Sequence, residues 1–261
     1  MKVNVYNLDG EPEGEIELPS VFNVPYRPDI IRRAFIAISS LGYQPQGRDP
    51  MAGKRTSAES WGTGHGVARV PRIKGSRHPA SGKGAFAPMT VGGRRAHPPK
   101  VEKNIVKLIN KKEKTLALKS AIASTANIDL VKKRGHIFDE SKRLPLVVVS
   151  ELEKINSAKE IKEVFKKIDV WADIERVKNR KRVRSGKGKM RGRKYKRAVG
   201  PLIVISEDKG IVKAARNFPG VDIIKVKNLS VKHLAPGGVA GRLTIWTQSA
   251  IDMLKNRFNE G

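Results

Sequence analysis

Residues 44–100 are a run of 57 in which hydrophobic periodicity stops. They hold ten glycines, seven prolines and only eight large apolar side chains, Trp61 and Phe86 among them. Neither the 3.6-residue period of a helix nor the alternation of a strand survives that composition. An insert of this length within a compact domain is either a functional loop or disordered. Trp61 and Phe86 argue against plain disorder, as does the low density of the Ser, Gln and Glu that fill flexible linkers. Fully extended, two arms of about 28 residues would reach at most roughly 90 Å. The segment could therefore probe deeply into a partner.

Charge separates this segment from its flanks. The 261-residue chain carries 53 Lys and Arg against 25 Asp and Glu, a formal net charge of +28. Residues 44–100 contain 11 of the basic residues and two acids, and residues 176–197 contain 13 basic residues and no acid. The remaining 182 residues hold 29 basic and 23 acidic side chains and are close to balanced. A solvated helix face mixes signs; these two segments do not, and they point to a polyanionic partner. Membrane binding would need an amphipathic helix with an apolar face, which glycine and proline deny to the first segment. The second has too few apolar residues for one. The longest apolar runs, such as Leu146 to Val149, are far too short to span a bilayer. The acidic N-terminal stretch lacks a signal-peptide core, so a cytosolic, soluble chain is expected. With no cysteine, disulfides, thiolate catalysis and cysteine zinc sites are excluded.

The flanking regions, 1–43 and 101–261, read as one α/β body interrupted by the 44–100 loop. "KVNVYNL" and "EIELP" suit short strands around the Asp9-Gly10 turn. Pro28 opens a predicted helix at 28–41, with Ile31, Ala34, Phe35, Ile38 and Leu41 on one face and Gly42 at its end. A second helix is expected from about 100 to 126. Segments 145–150, 201–206, 221–226 and 242–247 suit strands buried on both faces. Ser150 with Glu153, and Ser157 with Glu160, each have the spacing of a capping box. "TQSAIDMLKNRF" reads as a last helix. Alternating strands and helices predict a Rossmann-like fold, an open, mostly parallel sheet with helices on both faces in three layers.

Catalytic motifs fail on context. Gly62, Gly64 and Gly66 are spaced G-x-G-x-G, with no strand before them and no helix after, so no dinucleotide fingerprint is present. "GSRHPASGKG" puts six residues between Gly75 and Gly82 where a phosphate loop needs four. His65, His78, His97, His136 and His233 show no paired metal spacing. No enzyme, metal or cofactor is expected. Phosphate binding fits better: glycine lets backbone N–H groups approach an anion, and arginine forks onto phosphate oxygens. Trp61, Phe86 and Tyr195 could stack on unpaired bases. A flexible arm that binds any polyanion remains open on composition alone.

"GKRTSAESWGTGHGVARVPR", "SGKGAFAPMTVGGRRAHPP", "RGRKYKR" and "LAPGGVAGRLTIWTQSA" together resemble the ribosomal protein L4 family of the large subunit. The resemblance runs along nearly the whole chain, and the "GGRRAHPP" ending favours its archaeal form. It implies a structural protein whose α/β body binds large-subunit (23S-type) ribosomal RNA early in assembly. It also implies a loop that penetrates the RNA and helps form the wall of the nascent-peptide exit tunnel. Carried onto this sequence, tunnel lining falls on Gly62, Thr63, Gly64, His65, Gly66, Val67, Ala68 and Arg69. RNA binding along the arms falls on Lys54, Arg55, Trp61, Arg69, Arg72, Lys74, Arg77, Lys83, Arg94 and Arg95. Arg191, Arg193, Lys194, Tyr195, Lys196 and Arg197 would anchor the body. Where the shorter bacterial loops generally carry Arg at the tip, this chain has His65, whose charge depends on pH. The implied partners are the ribosomal RNA, neighbouring large-subunit proteins and the nascent peptide in the cytoplasmic ribosome, with no membrane. The rivals are a free-standing RNA chaperone or assembly factor, and an enzyme using the α/β body as a nucleotide site.

Overall fold

A computed structural model describes residues 1–259. The chain divides into two compact units, Met1–Ser40 with Lys107–Gly261, and Leu41–Val106.

In chain order the elements are β1 (Lys2–Tyr6), β2 (Pro12–Glu17), α1 (Pro28–Ser40), β3 (Ala58–Glu59), β4 (Arg72–Ile73), α2 (Lys111–Ala123), α3 (Ile128–Arg134) and β5 (Leu146–Val148). They continue with α4 (Ala158–Lys167), α5 (Trp171–Asn179), β6 (Arg182–Val183), β7 (Tyr195–Lys196), β8 (Leu202–Ile205) and α6 (Ile211–Ala215). Last come β9 (Asp222–Lys225), α7 (Val231–Leu234), β10 (Thr244–Thr247) and α8 (Gln248–Asn259).

The larger unit is built on a six-stranded sheet in the order β2-β1-β5-β10-β8-β9. The β1–β2 hairpin is antiparallel and every other pairing is parallel. Registers such as Val5 with Val147 and Ile203 with Ile223 set which residues share a face. Because strand side chains alternate, one sequence feeds two apolar clusters. Val3, Val147, Leu202, Val204 and Trp246 join α1, α2, α7 and α8. Leu146, Val148, Ile203, Ile205 and Ile245 join α4, α5 and α6. Trp246 is fully buried and meets Phe22 edge-on at 5.8 Å.

Several expectations change. Leu41 lies beyond the end of α1 and is exposed, while Ala37 and Ser40 take the buried positions. Helix α2 begins at Lys111, not near residue 100; eleven residues, mostly polar or β-branched, precede it outside any helix. Strand β9 is the sheet edge and only partly buried, so Asp222 and Lys225 face solvent rather than a second layer. Neither capping box forms. Ser157 precedes α4 without a side-chain cap, and Ser150 opens a single 3-10 turn while Glu153 turns inward.

The smaller unit is not featureless. β3 pairs antiparallel with β4, with Ala58 opposite Ile73, and Arg72 bridges to Gly84 on a third stretch of chain. Backbone bonds from Ile73 to Lys83, from Gly82 to Ile73 and from Ala85 to Pro71 extend that ribbon. Glycines 53 and 93 explain how so little apolar mass holds a shape. A Cβ on Gly93 would stand 2.0 Å from the Ala87 carbonyl oxygen, and one on Gly53, at φ +80°, would stand 2.5 Å from the Gly93–Arg94 backbone. Backbone packs on backbone where side chains are too few.

Candidate nucleic-acid interface

The tip of the ribbon runs from Gly62 to Arg69, and all eight residues are exposed. Gly62, Gly64 and Gly66 have φ between +63° and +88°, and a Cβ on any of them would meet nothing within 4 Å. These glycines turn the chain without packing against their own unit, which leaves their backbone free to approach a foreign surface. Trp61 stands at the base of the tip. The Arg72 guanidinium lies 5.3 Å from its ring centroid, His65 meets it edge-on at 6.0 Å, and half of the indole remains exposed.

The cations along the arms divide by what holds them. Arg72 donates to the Gly82 carbonyl at 2.8 Å while covering Trp61, so it braces the ribbon. Arg55 pairs with Asp49 at 2.5 Å and Lys74 pairs with Glu59, which uses both acids of residues 44–100. Arg94 lies 6.0 Å over Phe86, a non-glycine residue at φ +65°. Lys54, Arg69, Arg77, Lys83 and Arg95 are exposed, and among the described residues none of them forms an ion pair.

The second basic segment folds as a hairpin. β6 pairs with β7, with Val183 opposite Tyr195, and a 3-10 turn at Lys187–Arg191 lies between Gly186 and Gly192, both at positive φ. Arg184 closes the turn by donating to the Arg193 carbonyl at 3.1 Å. Lys181 and Lys194 place their ammonium groups 4.5 and 5.7 Å from the Tyr195 ring, which is 45% exposed. Arg191, Arg193, Lys194, Lys196 and Arg197 are exposed as well. Among the described residues, Arg176 is the one cation of this segment in an ion pair. The hairpin therefore presents fixed positive charge and an aromatic face with no internal carboxylate to neutralise them.

Arg176 itself belongs to the interior, which residue type alone could not reveal. Its guanidinium donates to Asp173 at 2.8 Å and to the Val199 carbonyl at 2.8 Å. Asp173 is fully buried and also accepts from His136 Nδ1 and the Ile137 N–H, both at 3.0 Å. Burial pushes the Asp173 carboxyl up, but the bonds from His136, Arg176 and Ile137 outweigh it and hold the group below its ordinary range. Burial pushes His136 down, against the pull of Asp173, and its Nε2 has no hydrogen-bond partner among the described residues. Arg242 is likewise buried, bonded to the Gly200 carbonyl at 2.8 Å and to Asp222 at 2.6 Å. Burial and the neighbouring Arg242 and Arg176 push Arg134 down to about 10. In a chain so rich in cations these five side chains, Arg134, His136, Asp173, Arg176 and Arg242, build the body. Their signal in the sequence was weak: Asp173 and Glu175 both stand just before the carboxylate-free stretch, and nothing local shows that Asp173 is the one that turns inward to hold Arg176.

Among the described residues, no group of three or more His, Cys, Asp or Glu is disposed to hold a metal ion, and no helix is long and apolar enough to cross a membrane.

The profile of the Ribosomal protein L4/L1 family matches residues 16–257. The chain is 51% identical over 260 residues to the large ribosomal subunit protein uL4 of Methanopyrus kandleri, covering all of both chains. It is 52% identical to that of Methanocaldococcus jannaschii, over 99% of this chain and 100% of the relative. It is 55% identical to that of Sulfurisphaera tokodaii, over 98% of this chain and 95% of the relative. A match of that extent and identity places the chain, with its two cation-rich hairpins, in the ribosomal protein L4 family in its archaeal form, a family of structural, non-enzymatic proteins of the large ribosomal subunit.

Proposed function

We propose that this protein binds large-subunit ribosomal RNA through two separate surfaces and lines the nascent-peptide exit tunnel with the tip of its internal loop. The α/β body, in a Rossmann-like three-layer arrangement, is the anchor, and residues 44–100 are an RNA-penetrating insertion. The protein then acts in the cytoplasmic ribosome, beside neighbouring large-subunit proteins, and supports subunit assembly.

One observation carries the reading: the hairpin from Lys181 to Arg197 is exposed, carboxylate-free and built around a cation-flanked Tyr195. Uncompensated cations held together on one hairpin repel one another and lower the stability of the free protein. They become favourable when phosphates release their counterions to meet them. The open left-handed glycines from Gly62 to Gly66 support close approach of the tip to a crowded surface, and exposed Lys54, Arg69, Arg77, Lys83 and Arg95 support phosphate contact along the arms.

RNA crosslinking on intact large subunits tests both surfaces separately. Contacts of residues 54–95 with tunnel RNA, and of residues 62–69 with a stalled nascent chain, are the expected result. Crosslinks from the 181–197 hairpin alone, with the loop open to protease on the particle, would reduce the loop to a flexible arm. Loss of the protein on salt-washing of the subunits would favour a transient assembly factor instead.

A further inference from the structure

A groove of about 470 Å³ lies between the start of α2, residues 227–231 and the end of α8. Lys111, Lys114, Lys227 and Arg257 line it, and no carboxylate does. These four cations come from three stretches of chain, and neither cation-rich hairpin contributes to them. Ile38, Leu118, Leu229 and Val231 give the groove an apolar floor beneath these cations. Arg257 is held in place, donating to the Val226 carbonyl and lying 5.7 Å over the Phe258 ring.

The start of α2 adds to the same field. The leading N–H groups of any helix lack an intrahelical partner, and here the N-cap residue Asn110 supplies no side-chain acceptor to replace it. Three lysines nonetheless crowd that turn, where a helix favours negative charge. Glu113, the one acid there, is held by Arg33 at 2.9 Å. Without an anion the arrangement is self-repelling.

We propose that this groove is a third RNA anchor, which takes a backbone phosphate between Lys114, Lys227 and Arg257 and rests the adjoining ribose on the apolar floor. The inference rests on the ribosomal-RNA reading above, but on residues that reading does not use. A backbone phosphate is the occupant argued for because four cations and no carboxylate line one concave site, and lysine and arginine both bind phosphate oxygens.

The experiment uses the full chain and large-subunit ribosomal RNA transcribed in vitro, with affinity followed across salt concentration. The Lys114→Gln/Lys227→Gln double variant is compared with Lys159→Gln/Lys213→Gln, an exposed pair on α4 and α6, and with Arg191→Gln/Arg193→Gln in the hairpin. The groove pair is expected to weaken binding about 5- to 10-fold and to flatten the slope of log K against log salt by about one, the loss of roughly one phosphate contact. The α4–α6 pair should change affinity less than about twofold. If the groove pair behaves like that control while thermal melting shows both folded, the charge there is generic and the anchor does not exist. Weakening from the groove pair with none from the hairpin pair would leave this site standing and overturn the hairpin as an anchor. The reverse pattern would overturn the groove alone.

Discussion

Thr247 donates a 2.7 Å hydrogen bond to the Glu153 carboxylate across 94 positions of sequence. The same carboxylate accepts from the Ser206 N–H at 2.8 Å, the Ser206 hydroxyl at 2.9 Å and the Ser249 hydroxyl at 2.8 Å. Glu153 is 1% exposed. It therefore ties together the carboxyl ends of β8 and β10 from the turn that follows β5. In open α/β sheets that edge is where a ligand usually sits. Here the chain fills it with its own anion, and four donors that could have met a phosphate are already engaged.

Glu153→Ala should cost about 2–4 kcal/mol, because it strands a buried N–H and three hydroxyls together. Glu153→Gln keeps a carbonyl acceptor and should recover part of that loss. Urea denaturation of both variants checks it; an alanine variant as stable as the parent would mean that these bonds contribute nothing net.

Acid should destabilise the fold in two stages. Burial holds His136 below its ordinary 6.5, and its unpartnered Nε2 gives a second proton no acceptor. A group depressed in the folded state binds more protons when unfolded, so stability falls as pH drops through and below 6.5. Glu153 follows: burial raises it, but the Ser206, Thr247 and Ser249 donors outweigh burial and hold it below 4.5. Its contribution is present above 4.5 and is lost as pH falls through its depressed folded value, as is that of Asp173 below 3.8. Unfolding free energy measured from pH 8 to pH 3 should therefore decline continuously, and His136→Gln should flatten the upper part of that decline.

What the sequence disclosed follows from how local each signal is. The parallel strands were readable because Leu146–Val148, Leu202–Ile205 and Thr244–Thr247 are short apolar runs bounded by turn residues, and burial on both faces needs nothing more. Glu153 was misread as a helix cap because its spacing from Ser150 is local, whereas its true partners lie 53 to 96 residues away. The exposed tip glycines were legible by pattern. The internal work of Gly53 and Gly93 was not, since the neighbours that would stand only 2.0–2.5 Å from a Cβ arrive there only after the ribbon has folded. Arg72, Arg176 and Arg242 show the same limit, because no feature of an arginine in sequence tells a brace from a phosphate ligand.

Gly93→Ala and Gly64→Ala should separate packing glycines from turning ones. The first forces a methyl group into the Ala87 carbonyl and must open the ribbon. The second adds a methyl group in open space at φ +88°, a local strain of about 1 kcal/mol. Limited proteolysis of the free protein should show faster cleavage across residues 53–94 for Gly93→Ala and an unchanged pattern for Gly64→Ala. Equal patterns would show that the Gly53–Gly93 packing does not hold the ribbon.

Arg72 and Arg77 provide the sharper test of which cations meet RNA. Arg72 is spent on the Gly82 carbonyl and the Trp61 face, and its Nε is buried. Arg77 is exposed and, among the described residues, forms no ion pair. Arg72→Gln should loosen the tip, seen as an exposed Trp61 whose fluorescence shifts red and quenches readily in the free protein. Arg77→Gln should leave that fluorescence unchanged and instead reduce the salt slope of ribosomal-RNA binding by about 0.7–0.9, the loss of one phosphate contact. A red shift from Arg77→Gln, or a Trp61 signal indifferent to Arg72→Gln, would reverse the two assignments, because bracing acts on the free loop whereas a phosphate ligand acts only once RNA is bound.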